Sequence, residues 1–147
     1  MKNAPSLQLV NRQKTHKLRL SYFQNHVPGI FRHLPSEWPQ ELKHLEIVFT
    51  SLDESGKIHG EFFQDSTPTD VMSFSTPPVG QLIISPAVAA EQKKIENLSL
   101  HEEILTYIIH GCLHFCGYSD RSERDFHQMR KAQTSIRQRI IGSVVES

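Results

Sequence analysis

One segment fixes what this chain can fold into. From Leu100 to Cys116, apolar residues at Leu100, Ile104, Leu105, Ile108, Ile109, Cys112, Leu113 and Cys116 recur at helical spacing. They wrap most of the circumference, so the helix they predict belongs at the centre of the core. Yet the same segment runs into His110-Gly111-Cys112-Leu113-His114-Phe115-Cys116-Gly117-Tyr118-Ser119-Asp120, the pattern H-x-x-x-H-x-x-G-x-x-D. Two histidines four residues apart point from one helix face, one turn apart, where both imidazoles can reach one ion. Gly117 can end the helix in the left-handed conformation that a Cβ penalises. The chain can then turn back and bring in Asp120. His110, His114 and Asp120 are therefore the expected metal ligands. Three protein ligands with an open fourth position suit a catalytic rather than a structural zinc.

Length and composition set the frame. The 147 residues, 37% hydrophobic and 22% charged, predict a single globular domain over residues 1–147. Lys+Arg and Asp+Glu balance at 16 each, so net charge argues neither for nor against nucleic acid, and a local basic patch can hide in a neutral total. No apolar run approaches the length of a membrane span. Met1 to Pro5 lead into no apolar stretch, so no secretory signal is expected and the location reads as cytoplasmic. The two cysteines, Cys112 and Cys116, sit four apart on the helix, a poor geometry for a disulfide. They read as reduced, buried thiols. A role as metal ligands is the weaker reading, because the histidines already fit.

Along the chain, Leu7 to Val10 predicts an edge strand, and apolar spacing from about Thr15 to Leu34 predicts a helix that Pro28 kinks or restarts. Pro35 to Pro39 is a loop, and Leu42 to Thr50 a strand. Residues 51–66 are ambiguous: Ser51 or Asp53 can cap a short helix ending near Phe63, against which Gly56 and Gly60 argue. Thr67 to Asp70 predicts a turn, Val71 to Phe74 a strand, Pro77-Pro78 a turn, and Gln81 to Ser85 a buried strand. Pro86 suits the first position of a helix to about Lys94. After the central helix, a last one runs from near Asp120 to about Ile140. The fold class is mixed α+β, about four strands in a small sheet packed with about five helices, the metal site on the central helix.

Asp120 admits two readings. It can be the third ligand, or it can cap the last helix, since Asp120-Arg121-Ser122-Glu123 has the form of a capping box. The pattern also resembles the metzincin peptidase layout. Gly111, however, stands where those enzymes carry their general-base glutamate, so peptide hydrolysis is the weaker reading.

The same residues carry a closer resemblance. His110 to Tyr118 resembles the H-G-x-L-H-L-x-G-Y-D-H signature of the YbeY family, metal-dependent endoribonucleases of rRNA maturation. Pro68-Thr69-Asp70-Val71-Met72-Ser73-Phe74 resembles the family's P-T-D-V-L-S-F, and Gly80 to Ser85 resembles G-D-I-x-I-S with Gln81 in place of Asp. The resemblance covers roughly residues 42–135. It implies a metalloprotease-like fold and one zinc or other divalent ion per chain. It also implies a single-strand-specific endoribonuclease of 16S 3′-end maturation and ribosome quality control, with ribosomal RNA and the ribosome as partners. Two alternatives remain: a metal-dependent hydrolase of another substrate such as a peptide, and a non-catalytic ribosome-associated metal-binding protein.

Two departures matter. Asp120 stands in place of the family's third histidine, and Ser119 in place of the preceding Asp. Asp is a competent zinc ligand, but its charge makes a weaker Lewis acid and widens the choice towards harder ions. The family often carries an arginine five residues before the proline; here that position is Phe63. Arg121, Arg124, Lys57 and Arg130 are the candidate replacements. A metal at the site would bring a bound water's pKa to about 7 and polarise a phosphoryl oxygen, or activate the RNA's own 2′-OH. No side chain in the motif is an evident proton acceptor, so the catalytic residues stay unassigned. An RNA strand needs a cationic surface, and the last helix offers Arg121, Arg124 and Arg130, with Lys131, Arg137 and Arg139 further along; the N-terminal Arg12, Lys14, Lys17 and Arg19 are a second candidate. Thr69 and Asp70 can support the site or close a turn.

Overall fold

A computed structural model describes residues 4–63, 71–92 and 97–142. Four strands, β1 (Ser6–Asn11), β2 (His44–Phe49), β3 (Val71–Thr76) and β4 (Val79–Ile84), form one sheet in the order β1-β2-β4-β3. β1, β2 and β4 run parallel; β3 returns antiparallel along β4 as one edge, and β1 is the other. Five helices accompany the sheet among the described residues: α1 (Leu20–His33), α2 (Leu52–Phe63), α3 (Pro86–Gln92), α4 (Leu100–Phe115) and α5 (Glu123–Ile141). The mixed α+β expectation holds. None of the described helices is long and apolar enough to cross a membrane.

Strand alternation sorts the helices into two layers. Leu45, Ile47, Phe49, Leu82 and Ile84 point to one face and join Phe23, Ile30, Ile104, Leu105 and Ile108 in the main core. Val48, Ile83 and Met72 point to the other face, where Ile58 of α2 covers them. α4 is the central element of the main layer, touching α1, α3, α5, β3 and β4. Its all-round apolar sequence is thus matched by its surroundings.

Some boundaries move for local reasons. The first helix starts at Leu20 rather than Thr15, because Gln13 occupies the backbone of the preceding turn: its Oε1 accepts from His16 N–H at 2.9 Å, and its Nε2 donates to the His16 carbonyl at 2.8 Å. The helix continues through Pro28. The carbonyl that loses its partner belongs to Gln24 on the exposed side, where water can serve it. The helix over the ambiguous 51–66 stretch forms, and Ser51 rather than Asp53 caps it, accepting from Glu54 N–H at 3.0 Å. The loop before β2 holds the largest buried side chain, Trp38, whose Nε1 donates to the Leu42 carbonyl at 2.8 Å. Trp38 packs edge-on against Phe31 of α1 and Phe115 of α4. The expected turn with Thr69 and Asp70 lies outside the described residues.

Candidate metal centre

α4 begins with a full capping box, in which Ser99 Oγ accepts from Glu102 N–H and Glu102 accepts from Ser99 N–H. It ends in a Schellman turn: Tyr118 N–H donates to the Leu113 carbonyl and Gly117 N–H to the His114 carbonyl, both at 3.0 Å. Gly117 takes φ of +97°, as its place in the pattern requires. Between these ends, Gly111 lets the helix press on the sheet. A Cβ there would lie 2.4 Å from Leu82 Cδ2, inside a fully buried side chain of β4. The residue that turns the motif away from peptidases is therefore also a packing requirement.

The two histidines project from this rigid support and are half-buried. His114 Nδ1 lies 3.1 Å from the Tyr118 carbonyl, which can only accept, so Nδ1 carries the proton and Nε2 a lone pair. His110 Nδ1 lies 3.0 Å from Gln133 Oε1 of α5, which sets the same tautomer. The two Nε2 atoms then face each other at 3.0 Å. Two lone pairs at that distance repel, and a cation between them converts the repulsion into coordination. Nitrogens on one tetrahedral zinc stand about 3.3 Å apart, given Zn–N of about 2.0–2.1 Å, so the pair needs only a small opening. A carboxylate oxygen of exposed Asp120 completes the group, with all three ligand atoms within 4.8 Å of one another. The donor set of two imidazoles and a carboxylate fits a divalent ion.

The competing role for Asp120 is taken by another residue. Helix α5 starts at Glu123, and Ser122 Oγ accepts from Asp125 N–H at 3.0 Å. Ser122 is the cap, so the expected start near Asp120 and its capping box are corrected. Ser119 Oγ donates to Asp125 Oδ2 at 3.1 Å, tying the turn that carries Asp120 to the first turn of α5. Neither cysteine joins the group of possible ligands. Both are free; Cys112 is fully buried, while Cys116 is only half-buried, a correction to the expected pair of buried thiols. Burial pushes both thiols up, away from the thiolate a metal needs.

The candidate cations separate in space. Arg130 lines a cleft of about 230 Å³ together with His110 and Gln133, and its guanidinium stacks over Phe126 at 5.7 Å. Arg121 and Arg124 are exposed and lie outside that lining. Lys57 pairs with Asp53 on the surface of α2, and Arg12 with Glu54. Phe63 is the last residue of α2. Gln81, the substitution in the third motif, donates to Glu46 Oε1 on the adjacent strand at 2.6 Å. An aspartate there would face that carboxylate with like charge. Sequence reasoning missed Gln133 and the Tyr118 carbonyl, which orient the two imidazoles.

The Endoribonuclease YbeY family model matches residues 8–141, nearly the whole chain. The chain belongs to the YbeY family. Among relatives, an endoribonuclease YbeY of Protochlamydia amoebophila is 29% identical over 122 residues, covering 78% of this chain and 81% of its own. One from Aster yellows witches'-broom phytoplasma is 31% identical over 111 residues, covering 69% and 76%. A solution structure of a Thermotoga maritima protein superposes with a TM-score of 0.64 at 20% identity, over 92% of this chain and 89% of that one, and shows the shared fold. The YbeY resemblance read from three short motifs thus extends well into the N-terminal part of the chain.

Proposed function

We propose that this chain, acting as one domain over residues 1–147, is a metal-dependent endoribonuclease for single-stranded RNA. Ribosomal RNA at the 16S 3′ end is the proposed substrate, the ribosome the partner and the cytoplasm the location. One observation carries the reading: two Nε2 lone pairs and a carboxylate converge at the end of α4 in a chain whose family is named for RNA cleavage.

His110, His114 and Asp120 hold the ion, with zinc as the first candidate and harder divalent ions admitted by the carboxylate. Gln133 and the Tyr118 carbonyl hold the imidazoles in the ligating tautomer. An ion so held supplies Lewis acidity to a phosphoryl oxygen and to the attacking hydroxyl. Arg130 is placed to meet the phosphate charge beside His110. Gly111 leaves the face next to His110 without the carboxylate that peptide hydrolysis would use.

The test is cleavage of a single-stranded RNA spanning an rRNA 3′ end by metal-loaded protein, by His114→Ala and by Asp120→Ala. Cleavage by wild type that both variants and a chelator abolish supports the proposal. RNA left equally intact by all three proteins refutes it. Chelator-sensitive peptide turnover would then point to a different hydrolase. Ribosome binding that survives His114→Ala would point to a non-catalytic binding protein.

A further inference from the structure

A second feature of the α4–α5 seam goes beyond the metal. α5 runs antiparallel to α4, so Gln133 meets His110 while Arg137, one turn later, reaches the level of Glu103. Arg130, Gln133, Thr134 and Arg137 form one face of α5 by their spacing and line the same cleft. Arg137 is unusual among them. It is only 6% exposed, yet its Nε has no hydrogen-bond partner. A guanidinium that is buried with part of its donor fork unused is costly unless something completes it.

Glu103 and Glu102 balance some of this charge. Burial pushes the Arg137 guanidinium down from its ordinary value, and the two carboxylates push it back. It stays charged throughout. Nε itself is enclosed, so it is the terminal nitrogens of the fork that are left to meet a ligand in the cleft that Arg137 lines. The cleft lining carries two arginines against one acidic residue, Glu103. His110 is part of the lining, so whatever occupies the cleft lies beside the metal centre.

We infer that this cleft is a phosphate subsite for the substrate strand, with Arg137 as its buried anchor and Arg130 at the side nearer His110. Phosphate oxygens match the planar fork of a guanidinium, which accounts for arginine at both positions. Arg137 lies about 6 Å along α5 from Gln133, one helical turn, so the bound phosphate neighbours the one at the ion rather than coinciding with it. Arg137 thereby acts as a positioning residue. The inference rests on the RNA reading above.

The experiment measures binding of a labelled single-stranded RNA to the full chain in chelator by fluorescence anisotropy, across a salt series. In chelator the metal-dependent cleavage does not interfere. Arg137→Gln is expected to weaken binding about tenfold and to lower the slope of log affinity against log salt by about 0.7, one lost phosphate contact. Arg137→Lys keeps the slope and loses part of the affinity, because charge remains while the fork is gone. Thermal unfolding separates binding from a purely structural role. Should Arg137→Gln not fold, Arg137→Lys and Arg130→Gln carry the same comparison. Equal affinity and slope in wild type and folded Arg137 variants overturn the subsite, and metal-dependent RNA cleavage by the same proteins would leave the nuclease reading standing. If wild type binds no RNA, calorimetric titration with inorganic phosphate decides. Phosphate binding lost in Arg137→Gln keeps the subsite, and no phosphate binding to wild type overturns it; metal-dependent cleavage by the loaded protein decides the RNA reading separately.

Discussion

Replacing Gly111 by alanine tests how the site is supported. A helix interior ordinarily gains about 1 kcal/mol when glycine becomes alanine. Here the new Cβ would lie 2.4, 3.0 and 3.3 Å from Leu82 Cδ2, Cδ1 and Cγ. Carbon pairs settle at about 3.5–4.0 Å, so the closest contact is more than an ångström too short. Leu82 is fully buried in β4 and has no free side to retreat to. Overpacking of this kind costs about 1–3 kcal/mol, which outweighs the helix gain. The expected net loss is about 1 kcal/mol, or a melting temperature lower by about 2–4 °C for a chain of this size. Leu82→Ala removes the obstructing atoms. In that background the same Gly111→Ala change should become stabilising by up to about 1 kcal/mol, a coupling of about 2 kcal/mol in a double-mutant cycle. Urea unfolding of the four proteins gives the cycle. If Gly111→Ala stabilises both backgrounds equally, the close approach of α4 to β4 is wrong, and with it the account of how the histidines are held.

Other expectations follow from the same geometry. Ser122→Ala should cost about 1 kcal/mol of stability through the lost cap and leave metal affinity unchanged, while Asp120→Asn should do the reverse; urea unfolding and metal titration together separate them. Gln133→Leu should lower metal affinity about 10–100-fold, because His110 loses the acceptor that fixes its tautomer; an unchanged affinity would remove Gln133 from the site. His101 is half-buried, stacks on Phe23, and accepts from Arg19 N–H at 2.9 Å. Burial first, then Arg19, lowers its pKa below 6.5. The unfolded chain therefore takes up this proton first as pH falls. Stability from His101 is full above about 6.5 and is lost below it, with a slope of at most about 1.4 kcal/mol per pH unit. His101→Asn should flatten that part of the pH profile of urea midpoints, and an identical profile would refute the assignment.

The parts of the structure that sequence made legible are those whose signal is local. The i, i+4 histidines and the glycine behind them specify a helix face and its end, and α4 and Gly117 comply. Leu7 and Leu9 alternate along the first strand and pack against the main core, while Val10 packs against the second. What escaped depends on distant partners. Parallel pairing of β1, β2 and β4 leaves no mark in any one strand. Gln133 lies 23 residues beyond His110, and only the return of α5 along α4 reveals it. Asp120 reads as a cap because Glu123 follows it three residues later, but Asp125 follows Ser122 at the same distance, and sequence spacing does not separate the two. The first turn of α5 resolves it, with Asp125 N–H on Ser122 Oγ. Among the arginines, helical phase decides: Arg130 falls on the face towards α4, and Arg121 precedes the helix altogether.

His110, His114 and Asp120 are proposed to hold a divalent ion together. Calorimetric titration of the purified full chain with zinc, alongside His114→Ala and Asp120→Asn, tests it most directly. Wild type should take up one ion per chain, His114→Ala should show no measurable binding at that site, and Asp120→Asn should bind clearly more weakly. Binding of equal strength and stoichiometry in all three proteins, or none in wild type, would contradict it.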